Sequence, residues 1–343
     1  MKSIYLAIIL LFGGTLTYSQ TVQHLLSLDN YTIPLNQKGG KIGRFLNSSD
    51  EKITLVKDTS GLFVINEKNE IYLKKNKAVK SNDSFIYGIT VKHGNKTKEF
   101  DLVANGFLKN KVVAHRGAWK HYDVHQNSMG ALEKAIELGC EASEFDVWLS
   151  RDKRVALNHD HEIDGLIIEE TDLAEMRKII LEANEVMATL EQYIDRIKQQ
   201  NKTRIILEFK TNPKNERYAE LVDSSMNIIH RMKAQAWVDY ISFDYRALLR
   251  VRAIDQGAHT AYLGADRPMD LQRVEGMSGI DYHFSQFDKI ERMYERARIL
   301  GLTINIWTVN DFEFMKKLLD MDVDFITTDE PEILLEEIRR RKN

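Results

Sequence analysis

From residue 111 onward the chain alternates short apolar runs with longer amphipathic segments, and this rhythm narrows the fold more than any other feature. Residues 111–114, 205–209, 240–243, 259–263, 303–308 and 324–327 are rich in apolar, β-branched or aromatic side chains, so they read as strands. Between them, residues 128–138, 190–200, 214–235, 244–256, 289–300, 310–320 and 330–341 read as helices. The first puts Ala131, Leu132, Ala135, Ile136 and Leu138 on one side, and Asn127 and Ser128 offer an N-cap. Two more strands are expected, one carrying Glu144 and Asp146 and one ending at His159. The stretch between Glu144 and His159 leaves no room for a full helix, so that unit is irregular. Strand–helix alternation over residues 111–341 fits the α/β class and a (β/α)8 TIM-type barrel. An open Rossmann-type sheet fits less well, because no Gly-x-Gly-x-x-Gly opens a helix.

Residues 23–107 have a different texture. Short alternating runs at 53–56, 62–65, 71–73 and 87–91 are separated by turn residues such as Asp58-Thr59-Ser60-Gly61 and His93-Gly94-Asn95. Strands this short and this regular predict a small all-β sandwich ahead of the barrel. The segment from Asp58 to Ile65 and the two strands after it resemble cadherin-like domains, without the clustered acidic calcium motifs of true cadherin repeats. We read it as a spacer or packing module, with no protein partner identified.

Residues 1–19 read as a secretory signal peptide, with Lys2 in a basic n-region, an apolar core at 4–12 and cleavage expected between Ser19 and Gln20. That core is short for a bilayer span, so the expectation is an exported, periplasmic or extracellular protein without a stable membrane span. Cys140 is the only cysteine, so no internal disulfide can form. Net charge is −3, and no long basic stretch marks a nucleic-acid partner.

The chemistry concentrates at strand ends: His115-Arg116-Gly117, Glu144-Phe145-Asp146, Asn158-His159-Asp160 and Glu208-Phe209-Lys210. Residues two apart on a strand share a face, so Glu144 with Asp146, and Glu208 with Lys210, each offer two polar groups to one place. In a (β/α)8 barrel all of these point into the mouth at the C-terminal ends of the strands. Three converging carboxylates repel unless a cation sits among them. Oxygen ligands of this kind suit Mg²⁺ or Ca²⁺ rather than zinc. Arg116 and Lys210 can face a phosphate, and His115 and His159 can divide proton removal and proton delivery. Metal-assisted phosphate-ester chemistry is the reading these groups favour.

These motifs resemble the glycerophosphodiester phosphodiesterase family. The resemblance runs from about residue 111 to 337. It is carried by Ala114-His115-Arg116-Gly117, Gln126-Asn127-Ser128, Glu144-Phe145-Asp146-Val147, Asn158-His159-Asp160, Leu207-Glu208-Phe209-Lys210, Trp307-Thr308-Val309-Asn310 and Ile326-Thr327-Thr328-Asp329. It implies a small-molecule glycerophosphodiester substrate, cleaved to sn-glycerol 3-phosphate and an alcohol with a divalent metal. It also implies Glu144, Asp146 and Glu208 as ligands, His115 and His159 as the acid–base pair, Arg116 and Lys210 on phosphate, and Trp307 as a pocket wall. Gln126 and Asn127 would stand just behind these groups. The family usually has Glu where this chain has Gln126, which predicts altered metal or arginine positioning. Pro-Thr-Leu is replaced by Ala188-Thr189-Leu190, and the turn after the second strand reads Ser150-Arg151-Asp152-Lys153. Two other functions fit the same residues: a barrel phospholipase that stops at a cyclic phosphate, and a non-catalytic binding protein.

Overall fold

The structure, a computed structural model, describes residues 25–46, 51–212 and 216–342. The expected signal peptide lies outside the described residues. Eight parallel strands close into a barrel: β1 (Val112–Ala114), β2 (Ala142–Leu149), β3 (Arg204–Phe209), β4 (Val238–Ser242), β5 (Thr260–Tyr262), β6 (Gly279–His283), β7 (Thr303–Trp307) and β8 (Phe325–Thr328). Strand β1 closes the ring, pairing with β2 through Ala142↔Val113 and with β8 through Thr327↔Val113.

Alternation along each strand sorts the side chains. Val112, Ile304, Ile306 and Ile326 face the surrounding helices. Val113, Ala142, Ile206 and Ala261 face inward and fill the barrel, and Ile241 and Leu263 on the same inner face reach the cavity at its mouth. The inward positions nearer the C-terminal ends are polar: His115, Glu144, Asp146, Glu208, Asp281, Asn305 and Thr327.

One expected barrel strand is corrected. The run before His159, Val155–Leu157, pairs antiparallel with β2 (Leu149↔Val155, Val147↔Leu157) and forms a hairpin arm outside the ring. Its place in the count is taken by β6, which the pattern reading missed. Inward Asp281 and terminal His283 break up the apolar run, and a strand with polar inward residues lacks the signature of a buried one.

The helix at Met129–Leu138 starts at Ser128, whose hydroxyl accepts from the N–H of Ala131 at 3.1 Å, and ends at Gly139 with φ +79°. Asn127 is therefore not the cap. Thr189 and Gln192 form a capping box that opens Leu190–Ile197. A short helix at Met269–Val274 was not foreseen.

Before the barrel, two four-stranded sheets pack face to face. One orders Ser27–Leu28, Lys41–Leu46, Glu70–Leu73 and Phe63–Ile65; the other orders Thr32–Ile33, Lys96–Ala104, Ile86–His93 and Ile53–Asp58. Phe45 and Phe100 meet across them edge to face, with ring centroids 5.7 Å apart. Their core continues into the barrel's outer layer through Phe107, Trp237 and Tyr240. Lys198 pairs with Asp101 at 2.9 Å, and the N–H of Leu25 donates to the carbonyl of Ile254 at 2.9 Å. The sandwich is thus fixed to the side and the N-terminal end of the barrel, leaving the C-terminal mouth open.

Candidate active site

The mouth begins with β1. His115 follows its last residue and donates its backbone N–H to Thr328 O at 3.0 Å. Its ring Nδ1 lies 2.6 Å from Asp329 Oδ1, just past the end of β8. Asp329 Oδ2 accepts from Asn310 Nδ2 at 2.7 Å. Burial alone would raise the Asp329 carboxyl, but the bond and charge of His115 hold it below the usual range. An ionised Asp329 fixes the Nδ1–H tautomer and leaves Nε2 free to take a proton. Sequence reasoning quoted Thr327-Thr328-Asp329 without giving Asp329 a role. Only the ring closure between β8 and β1 brings it to His115.

Arg116 sits in the left-handed region at φ +57°. Its N–H donates to Glu144 Oε2 at 2.8 Å, and its carbonyl accepts from the N–H of Asn127 at 2.9 Å. Gly117 follows at φ +82°, and a Cβ there would come within 2.6 Å of the Ala131 Cβ, so the helix can approach only over glycine. The Arg116 guanidinium donates from Nη1 to Gln126 Oε1 at 2.8 Å. Gln126 is therefore the arginine's holder.

Asn127 grips Asp146 twice. Its Nδ2 donates to Asp146 Oδ2 at 2.9 Å, and its Oδ1 accepts from the Asp146 N–H at 3.0 Å. Lys210 lies 3.1 Å from Asp146 Oδ1 and 2.7 Å from Glu208 Oε1. Glu144, Asp146 and Glu208 are all buried, and each offers an oxygen within 4.8 Å of the others. Glu144 Oε1 has no hydrogen-bond partner among the described residues.

The charges in this cluster do not balance on one lysine. Burial, then the neighbouring Asp146 and Glu208, push the Glu144 carboxyl well above its ordinary range. Burial and Asp146 push Glu208 up to about 8. Asp146 is desolvated too, yet Lys210 and the other cations hold it down. A hard dication among the three oxygens would supply the missing positive charge and occupy the bare oxygen of Glu144. The residues present therefore fit a divalent ion.

His159 reaches the mouth from the hairpin arm, positioned by the Trp148 indole N–H, which donates to its carbonyl at 3.0 Å. Its ring lies 2.7 Å from exposed Asp160. Burial, and then the charges of Lys210 and Arg116, push the imidazole below its ordinary range despite the pull of Asp146. Both histidines line one cavity of about 200 Å³ with Arg116, Glu144, Glu208, Lys210, Asp281 and Trp307. Trp307 makes the far wall, its Nε1 donating to the Asp281 carbonyl at 3.1 Å and its ring edge to face with Phe243 and His283. His283, the last residue of β6, braces that wall. A larger cavity of about 520 Å³ lies at the opposite end, between strand starts and the sandwich, away from both catalytic-type histidines.

A family model described as the glycerophosphoryl diester phosphodiesterase family matches residues 115–333. A glycerophosphodiester phosphodiesterase of Caldanaerobacter subterraneus is 25% identical over 256 residues, spanning 68% of this chain and 99% of that protein. The crystal structure of a glycerophosphodiester phosphodiesterase from Parabacteroides distasonis is 34% identical with a TM-score of 0.66, covering 70% of this chain and 99% of that one. A phosphodiesterase of Oleispira antarctica, solved with the product sn-glycerol-3-phosphate, shares the fold at 23% identity and a TM-score of 0.60, over 67% of this chain and 96% of that one.

Proposed function

Since this chain belongs to the glycerophosphoryl diester phosphodiesterase family and is a phosphoric diester hydrolase, we propose that it cleaves glycerophosphodiesters to sn-glycerol 3-phosphate and an alcohol with two-histidine acid–base catalysis and a bound divalent metal. The observation that carries this reading is the shared cavity: two imidazoles and two cations face a buried three-carboxylate cluster across about 200 Å³. Glu144, Asp146 and Glu208 would hold Ca²⁺ or Mg²⁺, which supplies charge neutralisation and Lewis-acid polarisation when bound. Arg116 and Lys210 hold the phosphate oxygens. His115, steadied by Asp329, removes the proton of the glycerol 2-hydroxyl as that oxygen attacks phosphorus. His159 delivers a proton to the departing alcohol oxygen. The pair then exchange roles, and water opens the cyclic phosphate. Trp307 walls the glycerol half.

The remaining parts of the proposal rest on sequence. Residues 1–19 would direct export to the periplasm or outside the cell, residues 23–107 form the cadherin-like sandwich, and residues 111–341 form the barrel. Among the described residues no helix is long and apolar enough to cross a membrane.

The test is turnover of glycerophosphocholine, glycerophosphoethanolamine, glycerophosphoinositol and glycerophosphoglycerol after chelation, with Ca²⁺ or Mg²⁺ added back and products followed by phosphorus NMR. Metal-restored release of sn-glycerol 3-phosphate is expected. A persistent cyclic ester would assign the chain to the phospholipase reading instead. No turnover of any diester with either metal would sink the reaction altogether.

A further inference from the structure

One buried acid in the mouth has no part in the chemistry above. Asp281 is on β6, side by side with Asn305 on β7, and is 2% exposed. Its Oδ2 accepts from Asn305 Nδ2 at 3.0 Å. Asn305 Nδ2 also donates to Thr327 Oγ1 at 2.8 Å, and Thr327 Oγ1 donates back to Asn305 Oδ1 at 3.1 Å. The amide is thereby committed and holds the carboxyl in one orientation. The other oxygen, Asp281 Oδ1, is buried with no hydrogen-bond partner among the described residues. Asp281 lines the catalytic cavity, whose nearby walls are Ile241, Leu263 and Trp307. The two aliphatic walls offer no donor, and the Trp307 N–H is spent on the Asp281 carbonyl. A buried polar atom left bare costs as much as a lost hydrogen bond, and its position calls for a donor that arrives with the substrate.

The chemistry of that donor follows from the surroundings. Burial pushes the Asp281 carboxyl up to about 7, and no cation lies within ion-pairing distance among the described residues, so the pocket suits a neutral partner. Phosphate belongs on the opposite wall, where β1 to β3 supply Arg116 and Lys210. Asp281 sits one pleat below Trp307, at the closed end of the cavity, whereas the His159 side chain is 32% exposed at the open end. The departing alcohol, protonated by His159, therefore faces solvent, and the glycerol half faces the floor.

We propose that Asp281 receives the free terminal hydroxyl of the glycerol half and makes the enzyme selective for glycerol esters over esters of propane-1,2-diol. The inference rests on the reaction proposed above, and it adds the residue that reads the non-reacting end of the substrate. A site built around a substrate hydroxyl rejects the analogue lacking it, because its own polar group is then left bare.

The experiment compares kcat/KM for glycerophosphoethanolamine with its 1-deoxy analogue, in which hydrogen replaces that hydroxyl, on metal-loaded wild type, Asp281→Leu and Asp281→Asn. Wild type is expected to favour the glycerol ester by about 10- to 100-fold. Asp281→Leu should lose most of that preference, by slowing the glycerol ester while leaving the deoxy ester within about three-fold. Asp281→Asn keeps the shape beside Asn305 and serves if the leucine variant is insoluble; its preference should still fall at least about five-fold. Equal wild-type rates on the two esters would overturn the assignment. So would variants that slow both esters alike, which is what a purely structural acid predicts. Absence of any wild-type turnover would instead defeat the reaction itself, so the two failures are distinct.

Discussion

Two glutamates three residues apart, at opposite ends of the barrel, are buried to the same degree but partnered differently. Glu141, entering β2 at its N-terminal end, is 3% exposed and fully bonded: Lys109 meets Oε1 at 3.2 Å, while the N–H groups of Asn110 and Lys111 donate to Oε2 at 2.7 and 2.8 Å. Glu144, further along the same strand, is also 3% exposed, yet one of its oxygens is bare and two other carboxylates crowd it. Asp255, near the sandwich junction, repeats the first pattern, with His230 at 3.1 Å and the N–H of Gly257 at 2.8 Å. Buried charge at the bottom of the barrel is neutralised by the chain itself. Buried charge at the top is neutralised only in part, and the shortfall marks where something else must bind.

The strongest way to break this contrast is to neutralise the top. Glu144→Gln or Asp146→Asn should reduce activity at least about 10³-fold, since several kcal/mol of transition-state stabilisation depend on the ion they hold. The chelated Glu144→Gln variant should melt no lower than wild type, because it removes a carboxyl that Asp146 and Glu208 repel and whose Oε1 is bare. Metal should raise the melting temperature of wild type and fail to raise that of either variant. Insoluble or strongly destabilised protein in both would show these carboxylates to be structural. The mirror experiment is Glu141→Ala. It strands two half-buried N–H groups and should cost about 1–3 kcal/mol in urea unfolding, while kcat of the folded fraction stays near wild type. A large activity loss with unchanged stability would reverse the assignment of the two ends.

The crowding at the top also sets a pH response in chelated protein. Glu208 is raised from 4.5 to about 8. Below about pH 4.5 the group is protonated in both folded and unfolded chains, and its contribution to stability is complete. As pH climbs toward 8 the unfolded chain ionises freely and the folded one resists, so stability is lost, by at most about 1.4 kcal/mol per pH unit. Asp146 is lowered, so its effect falls below its ordinary range and outside this window. Urea midpoints from pH 5 to 8 in chelator should decline more steeply for wild type than for Glu208→Gln, and added metal should flatten the wild-type curve. Parallel curves would mean that Glu208 is not held protonated.

Much of the site was legible because local spacing encodes it. Glu144 and Asp146, or Glu208 and Lys210, share a strand face by the geometry of the pleat, whatever surrounds them. The barrel followed from the alternation of apolar runs and amphipathic helices. What escaped depends on contacts far apart in sequence. Asp329 meets His115 only when the ring closes, across 214 residues. Strand β6 was hidden because its inward position is Asp281 rather than an aliphatic residue. His159 lines the cavity at the mouth, although the strand expected to carry it in the ring is a hairpin arm outside it. Asn127 was expected to cap a helix, and its short side chain instead clamps a carboxylate, a choice that propensity alone does not resolve.

The smallest predicted effect concerns Gln126, where the family usually has Glu. Its Oε1 accepts from Arg116 Nη1 at 2.8 Å, and Arg116 Nε stands 3.8 Å from Asp146 Oδ2. The amide thus orients the guanidinium without neutralising it, which leaves more of the arginine's charge for a phosphate. Gln126→Glu would turn this contact into a charge-assisted bond and draw the guanidinium toward residue 126. KM for a glycerophosphodiester should rise by less than about ten-fold, with kcat within about two-fold, because Arg116 binds phosphate in ground and transition states alike. The opposite outcome, an inert wild type made active by Gln126→Glu, would show that glutamine here had switched off a former enzyme. Equal parameters for both proteins would mean that backbone bonds to Glu144 and Asn127 hold Arg116 in place unaided.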